Sequence, residues 1–171
     1  MVLTYQPRGL AKLHQTPKGF TTNYYHQKIG STHAEFLEAK RIIANLDHLN
    51  WEWVECMTEP NQLQLDSIIA TQVRYLGVWA LDISKVIEII DEKTDDLIRF
   101  GYVMGSTKYH VLHGEEAFIL EYNRQNEETH YHIYSYSKPR GSLMRLGGPL
   151  IRRAQRKFVR AAAQYLIDKL P

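Results

Sequence analysis

From Ile68 to Ser137 the chain is written in strand-forming segments, and after Pro139 the pattern changes period to that of one long helix. Ile68 to Tyr75 and Lys85 to Asp91 are rich in β-branched residues, which favour a pleated, half-buried surface. Ile98 to Ser106, Glu115 to Tyr122 and Thr129 to Ser137 follow, with a polar turn at Asn123 to Glu128. Gly147 and Gly148 interrupt the first turns of the terminal helix, and Pro149 restarts it at the first helical position, where its missing N–H costs nothing. Leu150, Ala154, Phe158, Ala161, Ala162 and Tyr165 then line one face, and Arg152, Arg156 and Arg160 another.

Upstream, the first twenty residues carry Pro7, Gly9, Pro17 and Gly19 and read as an irregular arm. A strand is expected near Asn23 to Ile29. Thr32 followed by Glu35 forms a capping box, which starts a helix running to about Asp47. The alternation of Trp51, Trp53 and Glu55 with Glu52, Val54 and Cys56 predicts another strand. The order is strand, helix, six strands, long helix. A long antiparallel sheet has an apolar face to cover, and a terminal amphipathic helix can cover it. The fold class is therefore α+β, a curved seven-stranded antiparallel sheet around a long C-terminal helix. Residues 1–20 form the arm and residues 21–171 a single domain.

Composition restricts function more by exclusion. No apolar run approaches the roughly 20 residues of a membrane span, and the N-terminus lacks a signal-peptide core. Cys56, the single cysteine, excludes an intramolecular disulfide and a multi-cysteine metal site. These features lead us to expect a cytoplasmic protein. The net charge of +2 conceals an asymmetry: nine Lys/Arg and one acid from Lys138 onward give +8, leaving −6 for residues 1–137. The basic helix could favour an anionic partner through Arg152, Arg156 and Arg160, or simply be a solvated face. Basic residues are sparsely interleaved with aromatics and no standard nucleic-acid module is visible, so sequence-specific nucleic-acid binding is not expected.

Strand periodicity singles out one carboxylate. On the strand Glu115 to Tyr122, Glu116 shares a face with Phe118, Leu120 and Tyr122, the bulkier apolar set. An inward carboxylate must be paired, hydrogen-bonded or protonated, and desolvation raises its pKa into a range useful for acid–base chemistry. The alternative is a strand-end Glu reaching solvent or making a structural hydrogen bond. His110 and His113 lie in the loop before this strand; His130 and His132 share one face of the last strand. An HxH pair plus a third histidine could bind zinc or iron, but that face continues into Tyr134 and Tyr136 and equally fits a polar outer surface. No metal or cofactor is assigned. Ser106 and Ser137 close strands outside any GxSxG elbow, which gives nucleophilic catalysis little support.

Several of these residues also carry a resemblance. Gly101, Gly105, Ser106, His110, Gly114-Glu115-Glu116, Phe118, Ser137-Lys138-Pro139, Gly148-Pro149 and Gln155 to Phe158 occur in the order of a family signature, and LGVWALDISKVIEIIDE (Leu76 to Glu92) matches an upstream block. In these motifs the chain resembles DUF1990 (UPF0548), a family without an assigned activity. It departs from the pattern at Met104, where an aromatic is usual, at Ser106 for Thr, at Ile83-Ser84 for Pro-Cys, and at Lys85 and Lys138 for Arg. By element order the chain also resembles the helix-grip, START-like superfamily of the birch-pollen-allergen proteins and polyketide cyclases. That resemblance implies a sheet–helix cavity for an apolar or amphipathic small molecule such as a lipid, isoprenoid or pigment. The expected ligand-binding residues are Trp79, Tyr102, Ser106, His110, Glu116, Phe118 and Ser137, with Glu116 and His110 as catalytic candidates if the protein is a cyclase, hydratase or isomerase. A third possibility is an interaction module docking through its basic helix.

Overall fold

The computed structural model describes residues 2–59, 62–75, 77–141 and 148–171. Leu76 and Gly147, which belong to two of the motifs above, lie outside them. Seven antiparallel strands form one sheet in the order β1-β7-β6-β5-β4-β3-β2. They are β1 (Thr21–Gly30), β2 (Val54–Glu59), β3 (Ile68–Tyr75), β4 (Val78–Lys93), β5 (Leu97–Ser106), β6 (Leu112–Asn123) and β7 (Thr129–Pro139). Helix α1 (His33–Ala44) joins the two edge strands, and helix α2 (Gly148–Lys169) ends the chain.

The start of α1 is chemically determined. Thr32 Oγ1 accepts the Glu35 amide at 3.2 Å, and Glu35 Oε2 accepts the Ser31 amide at 2.7 Å, so one orphan donor of the first turn and the amide just before the cap are satisfied. The helix ends at Ala44, earlier than its apolar periodicity suggests, because Leu46 adopts a left-handed backbone (φ 61°) and turns the chain into a short 3-10 segment. The tryptophan alternation also stops short of a strand. Trp51 pairs with Val54 across a tight turn, and β2 begins at Val54.

Both helices pack on one face of the sheet. Phe36, Ile42 and Ile43 of α1 and Val159, Ala162, Ala163 and Leu166 of α2 meet Phe100, Tyr102, Phe118, Leu120 and Ile133 in the main core. The buried stripe of α2 is therefore rotated from the expected one, and Leu150 is exposed. The opposite face is not left to water. Tyr5, Leu10, Ala11 and Phe20 of the N-terminal arm cover Val103, Ala117, Ile119 and Tyr136 in a second cluster. Gly105 makes this possible: a Cβ there would collide with the Tyr5 hydroxyl. Glu115 then receives the arm. Its carboxylate accepts the Tyr5 hydroxyl at 2.9 Å and the Gly9 and Ala11 amides at 2.7 and 3.1 Å.

A bulge in β4 between Val86 and Glu88 reverses the alternation along this strand. Val86 belongs to the helix-side core, whereas Ile90 joins the arm-side cluster. Before the bulge, Ala80, Asp82 and Ser84 face the helices, and so this stretch supplies one wall of the space described next.

Candidate functional site

The C-terminal half of α2 seals the core, while its N-terminal half stands away from the sheet. Between them lies a cavity of about 210 Å³. Strand β3 contributes Thr71 and Val73, β4 contributes Ala80, Asp82 and Ser84, and α2 contributes Leu150, Ile151, Ala154 and Phe158. A smaller compartment of about 40 Å³ adjoins it, bounded by Ser106, Ser135 and Ser137. Ser84, Met104, His110, Leu112, Glu116 and Gln155 line both compartments and so form the neck between them. The larger chamber is mainly apolar, and the smaller one is rich in hydroxyls.

Glu116 stands at this neck, between Met104 of β5 and Ser135 of β7. Its carboxyl accepts no hydrogen bond from any described residue. Burial, reinforced by the Asp82 carboxylate, pushes its pKa up to about 8. A buried carboxyl group without a cation or donor partner holds its proton because the charged form cannot be solvated. The protonated form of Glu116 is therefore favoured at neutral pH.

His110 reaches the neck from the loop between β5 and β6. Its Nδ1 accepts the Leu112 amide at 3.0 Å, which places the proton of the neutral ring on Nε2. Burial holds its pKa below the ordinary histidine range, and Asp82 opposes that shift. Asp82 Oδ1 lies 3.4 Å from His110 Nδ1 and accepts the Val111 amide at 3.0 Å. With Nδ1 already an acceptor, the Asp82–His110 approach is a contact between two acceptors rather than an ion pair.

The other expected site residues divide by their position along the strands and, for Trp79, by strand parity. Ser106 and Ser137 bound the smaller compartment, where Ser106 Oγ accepts the Gly114 amide at 2.9 Å. Tyr102 and Phe118 are fully buried core residues; the Tyr102 hydroxyl lies 3.1 Å from His48 Nε2, and neither residue reaches the cavity. Trp79 is corrected outright. It lies on the opposite face of β4 from Ala80 and Asp82, is 58% exposed, and stacks beneath the Arg74 guanidinium at 5.2 Å. Arg152 is corrected too. Its guanidinium turns toward the sheet, donating to Ser137 Oγ at 2.9 Å, the Ser137 carbonyl at 3.1 Å and Gln155 Oε1 at 2.7 Å. Arg156 and Arg160 remain exposed.

Sequence reasoning missed Asp82, Ser84 and Gln155. The signal for the first two was present, since Ala80, Asp82 and Ser84 alternate with Trp79, Leu81 and Ile83. The paired histidines lie on the outer face, where His26 Nε2 is 2.9 Å from His130 Nδ1 and stacks on His132 at 4.4 Å. Burial and the neighbouring His26, His14 and His130 push the His132 pKa down to about 4. No group of three or more His, Cys, Asp or Glu among the described residues is arranged to hold a metal ion. No helix among them is long and apolar enough to cross a membrane.

With this geometry in place, residues 4–165 match the family described as Domain of unknown function (DUF1990). The chain belongs to the DUF1990 family. Two UPF0548 proteins are similar to it. One, from Dictyostelium discoideum, is 28% identical over 131 residues, covering 72% of this chain and 61% of that protein. The other, from Arabidopsis thaliana, is 26% identical over 167 residues, covering 94% and 80%. Among solved structures, the hypothetical protein jhp0584 of Helicobacter pylori superposes with a TM-score of 0.61 at 13% identity, covering 100% of this chain and 98% of that one. Ara h 8.0201 gives 0.53 at 11%, covering 88% and 100%. The Zhui aromatase/cyclase from a Streptomyces species gives 0.52 at 10%, covering 86% and 93%. The DUF1990 chain thus has the helix-grip fold, with the C-terminal helix gripped by an antiparallel sheet.

Proposed function

We propose that this protein binds an apolar or amphipathic small molecule in the space between the sheet and α2. The observation that carries this reading is a chamber of about 210 Å³ with Val73, Ala80, Ile151 and Phe158 on its walls and polar groups gathered at one end. Ligand sites usually combine apolar walls with a few placed polar groups and span roughly 300–1,000 Å³. The chamber is slightly smaller than that range, so it suits a compact molecule or one end of a longer lipid, isoprenoid or pigment. Native mass spectrometry of the purified protein tests the reading. A bound apolar compound that is lost in Ala154→Trp, which fills the chamber, supports it. A protein that carries no ligand and takes up no apolar probe removes it.

A second reading, an acid–base enzyme on the same fold, is favoured by the Glu116 pKa of about 8. A general acid or base works best with a pKa near the operating pH. One of the structural neighbours is named an aromatase/cyclase, and that name supports a search for turnover rather than a specific reaction. Conversion of the bound compound, abolished by Glu116→Gln or His110→Phe with binding retained, would distinguish the enzyme from the carrier.

A further inference from the structure

We infer that the ligand presents an uncharged carbonyl oxygen on an apolar body, and that this oxygen is held at the neck of the cavity by the Glu116 carboxyl O–H and His110 Nε2–H. This rests on the cavity reading given above and specifies what the cavity selects.

His110 Nδ1 is occupied by the Leu112 amide, so the ring offers its other nitrogen as a donor only. Asp82 Oδ1, 3.4 Å from His110 Nδ1, already accepts the Val111 amide. Glu116 lines both compartments and has no hydrogen-bond partner among the described residues. Its buried surroundings favour the protonated form, which donates one hydrogen bond. Two donors thus border one apolar chamber without acceptors of their own among the described residues. Both side chains are half-buried and open to the chamber, so an acceptor on the ligand replaces water there with a hydrogen bond made in poorly solvated surroundings. A carbonyl oxygen has two lone pairs and can accept from both groups. A carboxylate would bring a charge into the same poorly solvated space beside Asp82, and an amine would bring further donors.

The titratable groups facing Glu116 fix the direction of the pH effect. Asp82 approaches from β4, His110 from the β5–β6 loop, Tyr102 from β5 and Tyr131 from β7. From α2 the Arg152 guanidinium is engaged by Ser137 and Gln155. Above about pH 8 Glu116 loses its proton and becomes an acceptor, so a carbonyl ligand is released preferentially over a hydrocarbon of the same shape.

The test compares 1-tetralone with tetralin, two bicyclic probes that differ in one carbonyl group, by calorimetric titration of the intact protein at pH 6.5 and pH 9.5. At pH 6.5 the ketone binds about tenfold tighter, the scale of one or two net hydrogen bonds. At pH 9.5 the ratio falls to the smaller preference that His110 alone supplies, and in Glu116→Leu it has that smaller value at both pH values while tetralin still binds. Equal binding of the two probes at pH 6.5, or a ratio unchanged by pH and by the Leu variant, overturns the inference and leaves the apolar cavity standing. Failure of both probes to bind overturns the cavity reading and this inference with it.

Discussion

Arg152 crosses from the terminal helix to the end of β7 and donates to both the hydroxyl and the carbonyl oxygen of Ser137, at 2.9 and 3.1 Å. This contact, together with Gln155 Nε2 donating to the same hydroxyl at 3.3 Å, ties the helix to the sheet beside the smaller compartment. Hydrogen bonds involving a charged group contribute about 1.5–3 kcal/mol each, and the partial exposure of Arg152 puts its pair at the low end. Arg152→Met should lower the unfolding free energy by about 2 kcal/mol in urea titration, whereas Arg156→Gln and Arg160→Gln should stay within about 0.5 kcal/mol. Equal effects at the three positions would contradict the assigned role.

Glu115 and Glu116 are neighbours with opposite duties. Glu115 accepts hydrogen bonds from Tyr5, Gly9 and Ala11 and so latches the N-terminal arm onto the outer face. Glu115→Ala removes the shared acceptor and leaves the donors buried, a loss of about 3 kcal/mol or more. Limited proteolysis should then cut within residues 8–18 at a protease concentration that leaves the unmodified protein intact. Unchanged protection of the arm would show that apolar packing alone holds it.

Glu116 contributes a stability that depends on pH. Its folded pKa, about 8, lies above its ordinary value of 4.5, so the folded state retains a proton that the unfolded state releases. The contribution is fully present below pH 4.5 and is lost as pH rises through about 8. The slope is up to about 1.4 kcal/mol per pH unit within that window. Glu116→Gln has no such titration. Relative to the unmodified protein it should gain stability steadily from pH 5 to pH 8, with no further gain above pH 9, when measured by denaturant titration at each pH. A difference independent of pH would mean that Glu116 is ionised in the folded protein.

The sequence made the scaffold legible where period and chemistry agreed. The order of elements along the chain, the capping box of Thr32 and Glu35, and the inward direction of Glu116 followed from alternation and spacing. The outer face did not. Ala117 and Ile119 are as apolar as the helix-side residues, yet the segment that covers them, around Tyr5 and Ala11, has no periodicity because it binds through backbone amides rather than through a repeating side-chain pattern. Trp79 was misplaced because size suggested a cavity wall, whereas its parity relative to Asp82 puts it in solvent. Arg152 was assigned to a solvated face because a helical wheel cannot show that Ser137 waits opposite it.

The space beneath the first half of α2 is proposed to be a ligand chamber. Methyl-resolved NMR during titration with 1-tetralone reads it directly. Val73, Val111, Leu112, Ile151 and the Met104 methyl, all on the chamber wall, should shift together with a common affinity. Ile42, Ile43 and Leu166, packed in the core at the other half of the helix layer, should stay in place. Shifts centred instead on the exposed Leu81 and Met57 of the outer face, with the wall methyls unmoved, would contradict the account.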